Sequence, residues 1–217
     1  MVYLLKSYKL SLCAAALLAC LSFQAYAGVQ EDFIWAVEKG NLSDVSRLLE
    51  KGANPDTSNR EGYTPLMIAA KEKNLKMAQL LIDAGAQLDS RNRYGETAIM
   101  LASYHGFTDL VRLLYIKGAE INHKGWNPLI YAAFGGHLDT LQMLLSGGAD
   151  INSLTDNGST ALMMAVRGNH LDAVSMLVNN GADLSIKNEH GDNALTWAEK
   201  YNHPDIAQFL KNRGTAK

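Results

Sequence analysis

The chain contains very little cysteine and no excess of basic residues. Its two cysteines, Cys13 and Cys20, both lie within the first 27 of 217 residues. If those residues are removed, the rest has no thiol, which excludes thiol catalysis, disulfides and cysteine-ligated zinc. Lysine and arginine number 20 against 22 aspartates and glutamates, so the composition does not favour nucleic acid as the main partner. Proline is also scarce, and no low-complexity tract is present.

Residues 1–27 have the pattern of a cleaved export signal. Lys6 and Lys9 precede an uncharged apolar run at 10–21, and Ala25-Tyr26-Ala27 then forms a small-x-small cleavage sequence. We therefore expect cleavage after Ala27 and a periplasmic location in a bacterial cell envelope. Lys6 and Lys9 are the only charges of the leader, so the mature chain would carry 20 − 2 = 18 basic against 22 acidic residues, a net charge of −4.

Two alternatives for the leader stay open. One is an N-terminal membrane anchor that is never cut, although the apolar run is short for a membrane-spanning helix. The other is a bacterial lipoprotein: Leu17-Leu18-Ala19-Cys20 resembles the lipoprotein box. In that case Cys20 would be lipidated, and the lipid would tether the protein to a membrane.

A six-residue block returns along the rest of the chain. It begins at Thr64, Thr97, Asn127, Thr160 and Asn193, and reads TPLMIA, TAIMLA, NPLIYA, TALMMA and NALTWA. The interval is 33 residues, except for 30 between Thr97 and Asn127. A Gly-Ala pair keeps the same period at 52/53, 85/86, 118/119, 148/149 and 181/182. A chain built from copies of one unit is typical of a solenoid with an extended binding surface.

Each unit is predicted to form two short helices. The Thr or Asn that opens the block is an N-cap residue, and Pro65 and Pro128 stand at the first helical position. A second apolar run with helical spacing follows, as at 75–82, and the Gly-Ala pair ends it. Because two such helices cannot bury their apolar faces alone, the units must stack on each other.

The block, its period and the Gly-Ala pair resemble the ankyrin repeat, whose signature is T-P-L-H-x-A. The resemblance covers about residues 31–213. It implies an all-α solenoid of stacked helix–turn–helix units with projecting β-turn or hairpin fingers. We place a capping unit at 28–59 and repeats one to five at about 60–92, 93–122, 123–155, 156–188 and 189–217. The signature histidine is replaced by Met67, Met100, Ile130, Met163 and Thr196. We expect apolar packing there and lower rigidity between turns.

The short interval removes the tip of one finger, between Ala119 and Trp126. A missing tip opens the surface between repeats two and three, where aromatic and arginine side chains are frequent. The predicted partner-binding residues are Arg60, Tyr63, Arg93, Tyr94, Tyr104, His105, Trp126 and Phe134. Tyr131 and Trp197, one position before the last residue of the block, are instead predicted to fill the core between repeats.

The remaining polar residues indicate no chemistry. His137, His170 and His203 recur every 33 residues before the second helix, where we expect a hydrogen bond at the helix start. The other histidines lack zinc-site spacing, and no nucleophile elbow, P-loop or dinucleotide fingerprint is present. We therefore predict no enzyme activity, no cofactor and no metal.

The resemblance implies a protein that binds another protein through its concave face and turn tips. We expect that partner in the cell envelope, and expect no nucleic acid, no small-molecule substrate, and a membrane only if Cys20 is lipidated. Binding would make the chain an inhibitor or immunity factor for an envelope enzyme. The alternative is a scaffold, or a stress-defence accessory, that assembles periplasmic enzymes without inhibiting them.

Overall fold

The structure is a computed structural model that describes residues 28–214. The predicted leader, its cleavage site and Cys20 lie outside the described residues. The described part folds into twelve helices, with one isolated bridge between Leu154 and Thr160 as its only β pairing. The helices are α1 (28–38), α2 (Leu42–Glu50), α3 (Pro65–Lys71), α4 (Leu75–Asp83), α5 (Ala98–Tyr104), α6 (Thr108–Ile116), α7 (Pro128–Gly135), α8 (Leu138–Ser146), α9 (Ala161–Arg167), α10 (Leu171–Asn179), α11 (Ala194–Lys200) and α12 (Pro204–Gly214).

The helices form two layers. The first helices of the repeats, α3, α5, α7, α9 and α11, pack on each other in that order and make the inner layer. The second helices, from α2 to α12, make an outer layer in the same way. A continuous apolar core lies between the layers and runs through every unit. The predicted fold, a solenoid of stacked two-helix units, is confirmed.

The repeated polar residues fix the ends of the helices. Side-chain oxygens of Thr64, Asn127, Thr160 and Asn193 each accept a hydrogen bond from the backbone N–H three residues on, at 2.9–3.3 Å. Caps of this kind contribute about 1 kcal/mol each. At the other end, the glycines of the five Gly-Ala pairs have φ between +86° and +102°, a conformation that side chains rarely adopt.

Apolar packing replaces the signature histidine in four repeats. Met67, Met100, Ile130 and Met163 are at most 1% exposed, so all four side chains are buried. Thr196 differs, because it is exposed and its hydroxyl accepts the backbone N–H of Asn193 at 2.7 Å.

Histidines at another position of the repeat, directly before the second helix, link the units. His137 Nε2 lies 2.8 Å from the carbonyl oxygen of Tyr104, and His170 Nε2 lies 3.1 Å from that of Phe134. Neither side chain caps its own helix, so the prediction of a helix-start hydrogen bond is wrong for these two. The acceptor belongs to the preceding repeat. The two histidines therefore link repeat two to three and repeat three to four.

Candidate partner-binding face

Four aromatic side chains from repeats two and three form one cluster. Trp126 precedes α7, Tyr131 and Phe134 lie on α7, and Tyr104 ends α5. The ring centroids of Trp126 and Tyr131 are 5.0 Å apart, and those of Tyr131 and Tyr104 are 6.0 Å apart in an edge-on arrangement. Tyr104 and Phe134 stack at 6.2 Å. We call these four residues the aromatic cluster. Its geometry is that of favourable aromatic pairs.

Cations and a further ring pair extend the aromatic cluster. The ring of His105 contacts Tyr104 at 5.0 Å and stacks on Phe107 at 5.3 Å. The Lys73 ammonium lies 5.2 Å above Phe107, and the Arg167 guanidinium lies 5.9 Å from the Phe134 ring. Burial lowers the pKa of His105, so this imidazole is biased towards its neutral form. The aromatic strip therefore lies on repeats two and three, and a cation of repeat one and another of repeat four flank it.

The cluster is accessible from solvent. Tyr104 is 41% exposed, and Trp126, Tyr131 and Phe134 are half-buried. The prediction that Trp197 fills the core is confirmed at 6% exposure, but the same prediction is wrong for Tyr131. Tyr131 belongs to the aromatic cluster because its ring lies between Trp126 and Tyr104. Partly exposed aromatic clusters are typical of interfaces rather than of monomer surfaces.

A partly buried hydrogen-bond chain supports the cluster. The Tyr131 hydroxyl donates to Glu96 Oε1 at 3.1 Å, and Asn92 Nδ2 donates to Glu96 Oε2 at 2.8 Å. Burial raises the pKa of Tyr131 well above its usual range, and the Glu96 charge and hydrogen bond raise it further. The phenol therefore stays protonated and holds the carboxylate. Sequence reasoning missed this pair, because the two residues lie in different repeats.

The fingers are tight turns rather than long hairpins. In four of them the glycine N–H donates to the carbonyl three residues earlier: Gly62 to Asn59, Gly95 to Asn92, Gly158 to Thr155 and Gly191 to Asn188. Residues 122–126, where the sequence is three residues shorter, form no such backbone bond among the described contacts.

A gap lies beside the shortened turn. At Gly62, an added Cβ would be 3.2 Å from the backbone nitrogen of Arg93 in the next finger. At Gly95 it would meet only Arg91 of its own turn, at 4.0 Å. At Gly95, therefore, the shortened turn at 122–126 comes less close than the next finger does at Gly62. We call this space the notch. Tyr94, 72% exposed, lies on its rim, and Trp126 of the aromatic cluster lies in the shortened turn.

A buried histidine lies in the shortened turn. His123 is 8% exposed, yet neither of its ring nitrogens has a hydrogen-bond partner. Burial lowers the pKa of His123, and the positive charge of Arg91 lowers it further. This imidazole is therefore held neutral. Its burial depends on how the short turn folds, which the sequence pattern does not reveal.

The other predicted binding residues flank the cluster and notch. Arg60 and Arg93 are exposed on successive turns. Tyr63 carries the Lys71 ammonium 4.6 Å above its ring, and with Arg60 it lines a groove of about 500 Å³. Burial raises the pKa of Tyr63, and the charge of Glu96 raises it further. Nothing in the structure tests whether these residues bind a partner, so their role stays a prediction.

The outer layer offers a larger groove of a more ordinary kind. About 980 Å³ of space lies beside α6 and α8, and its lining includes Arg112 and Asp139. A similar groove of about 620 Å³ lies between α2 and α4. Because such a gap recurs between outer helices along the stack, it marks no particular site.

Within residues 28–214 no group of His, Cys, Asp or Glu could hold a metal ion, and no helix could cross a membrane.

Stacked two-helix units with an exposed aromatic face define a repeat protein of the interaction type. The chain belongs to the ankyrin-repeat family: the family described as ankyrin repeats in three copies matches residues 33–125, 85–155 and 129–217. Ankyrin repeats are a non-catalytic protein-interaction fold, so the chain is a protein-binding module.

One solved structure is similar over most of the chain. It is that of the Bd0816 predatory endopeptidase from Bdellovibrio bacteriovorus in complex with immunity protein Bd3460, and the similar chain is the immunity protein. The identity is 28% and the TM-score 0.74, over 83% of this chain and 97% of that one. No curated protein sequence matches the chain.

Proposed function

We propose that this protein is an immunity-type inhibitor that binds an envelope peptidase and blocks its active site. The observation that carries the proposal is the aromatic cluster beside the notch, in a chain similar to an immunity protein whose structure was solved with an endopeptidase. The similarity supports a protein partner, and the notch supports a partner with a protruding segment.

The geometry suits tight binding to a protruding loop. The rings of the aromatic cluster are held by core packing and by the Tyr131–Glu96 bond, so little side-chain freedom is lost when a partner binds. Interface hot spots are enriched in aromatic residues and arginine, and each contributes about 2 kcal/mol or more. A protrusion that enters the notch would contact Trp126 and Tyr94 and would be kept from its own substrate.

The proposed location is the periplasm. It rests on the sequence pattern of residues 1–27, with cleavage after Ala27. Lipidation of Cys20 would instead anchor the same domain to a membrane of the envelope. Both forms would present the binding face to enzymes of that compartment.

The test is capture followed by an activity assay. The full chain with a C-terminal tag is expressed in a Gram-negative host and recovered from periplasmic extract after mild crosslinking. Mass spectrometry reads its N-terminus and its bound proteins, and the main bound enzyme is then assayed on peptidoglycan peptides with and without the repeat protein.

Three variants locate the inhibitory face. Tyr104→Ala and the double variant Trp126→Ala with Phe134→Ala should each raise the inhibition constant about 30-fold or more, since about 2 kcal/mol corresponds to that factor. Ile116→Ala is the control, because Ile116 is an apolar residue of α6, 71% exposed on the outer layer. Binding without inhibition would indicate the scaffold function instead. Equal inhibition by all variants would refute this face as the site.

A further inference from the structure

We infer that the notch accepts an acidic protrusion of the partner, with an apolar residue at its tip and carboxylates beside it. The inference rests on the proposed function and adds the chemistry of the partner. It follows from the charges around the notch and from how the acids of the protein itself are occupied.

Four cations without ion pairs lie in the turns of the notch or in the turn before it. Arg91, Arg93 and Lys124 lie in the two turns that form it, and Arg60 lies one turn away. All four are exposed, and none takes part in the salt bridges of the described chain. Arg91 also donates to the carbonyl of Gly95 at 2.8 Å, which fixes its guanidinium at the edge of the notch. The guanidinium fork is well suited to bind carboxylates.

Two acids near these turns, Glu96 and Asp89, are held by the protein, whereas Glu120 is exposed. Glu96 accepts hydrogen bonds from Asn92 and Tyr131, and Asp89 Oδ1 accepts the backbone N–H of Glu120 at 3.0 Å. These carboxylates are bound from within, whereas the neighbouring cations face solvent. An incoming carboxylate therefore finds free donors at the rim of the notch.

The charge of the side chains at the finger tips changes sign along the stack. Arg60 and Arg93 occupy the residue two before the turn glycine, and Asp156 and Glu189 occupy the same position in repeats four and five. His123 stands between them, buried in the shortened turn. The row of tips is therefore basic on one side of the notch and acidic on the other. This arrangement would orient the protrusion, with its carboxylates towards repeats one and two.

The acidic half of the row disfavours a uniform polyanion. RNA or an anionic membrane would meet Arg60 and Arg93 favourably but would be repelled by Asp156 and Glu189. The aromatic cluster beside the notch further favours a short peptide segment with an apolar tip. We therefore assign the notch to a protein loop.

The test uses two labelled peptides that differ only in charge. One has a central Leu-Phe pair between aspartates, and the matched peptide has asparagine at each aspartate. Fluorescence anisotropy measures both against the repeat protein as recovered from its host, at low and high salt. The acidic peptide should bind about tenfold tighter at low salt, and the difference should shrink as salt rises. Equal binding of the two peptides would overturn the inference.

Charge reversal locates the site with a matched control. Arg60→Glu with Arg93→Glu should weaken binding of the acidic peptide about tenfold or more. Lys76→Glu with Arg112→Glu makes the same change of net charge on exposed, unpaired residues of α4 and α6, and should alter binding less than about twofold. Equal losses in both variants would refute a local site. So would tight binding of a uridine oligonucleotide or anionic vesicles with the same arginine dependence.

The outcome separates this inference from the proposed function. Suppose that Trp126→Ala abolishes enzyme inhibition while Arg60→Glu with Arg93→Glu inhibits like the wild type. In that case the inference of an acidic protrusion is wrong, and the proposed inhibitor function is supported. If no envelope enzyme is inhibited but the acidic peptide binds at the notch, the proposed inhibitor function is wrong and the preference of the notch for acidic segments is supported.

Discussion

Replacing Gly168 with alanine tests the histidine links between repeats. Gly168 directly follows α9 and has ordinary right-handed helical angles, with φ −77°. Helix propensity alone would make alanine there more stable than glycine by about 0.5–1 kcal/mol. A substitution chosen from sequence would therefore be expected to stabilise the protein.

The structure predicts the opposite sign. A methyl group on Gly168 would overlap the Cδ2 of His170 and lie 2.8 Å from the carbonyl oxygen of Phe134. The imidazole must move, which breaks its 3.1 Å bond to the same carbonyl. Overpacking costs about 1–3 kcal/mol and a lost hydrogen bond about 0.5–1.5 kcal/mol. After the propensity gain is subtracted, Gly168→Ala should lower the free energy of unfolding by about 2 kcal/mol.

Urea unfolding followed by circular dichroism measures the change, and His170→Ala supplies the second arm of a double-mutant cycle. With the ring removed, the penalty of Gly168→Ala should fall by about 1 kcal/mol or more, leaving the contact with Phe134. A stabilised Gly168→Ala variant, or an equal penalty in both backgrounds, would refute the role of His170.

Two further predictions concern the shortened turn and the hydrogen-bond chain beneath the cluster. Burial lowers the pKa of His123 in the folded state, so at a given pH the unfolded chain is protonated there to a greater extent. The free energy of unfolding should therefore fall as pH drops below about 6.5, by at most about 1.4 kcal/mol per pH unit. His123→Leu should flatten this loss in thermal melts across pH 5–8, and an unchanged profile would contradict it. Tyr131→Phe removes a hydrogen bond to the Glu96 carboxylate and should cost about 1.5–2 kcal/mol, while Tyr115→Phe, which loses a bond to the Gly147 carbonyl, should cost about 0.5–1 kcal/mol. Equal losses in urea unfolding would show that the charge of Glu96 adds nothing.

The sequence was sufficient to predict the fold because each unit contains the residues that set the ends of its own helices. Caps such as Thr64 and Thr160 and the glycine of each Gly-Ala pair set the helix ends locally. The repeat then fixes which helices become neighbours. The residues of the cluster that stand out from their repeat positions, Tyr104, Trp126 and Phe134, could be found for the same reason.

What sequence could not predict depends on contacts between units. The residues at the position of Tyr131 in the other repeats are buried. Tyr131 is only half-buried, and its hydroxyl donates a hydrogen bond to Glu96 of the preceding repeat. His137 and His170 have the position of helix caps, and their acceptors lie a whole repeat away. Distances across a repeat boundary, rather than residue type, decide these roles.

The position of the notch in the middle of the stack affects how the protein opens. In a linear array each unit is stabilised by its neighbours, and the end units have only one. Local unfolding therefore begins by fraying at α1 and α12, while repeats two and three, with neighbours on both sides, should show the slowest amide hydrogen exchange. The ends of the stack can loosen and close again while the surface that meets the partner keeps its shape.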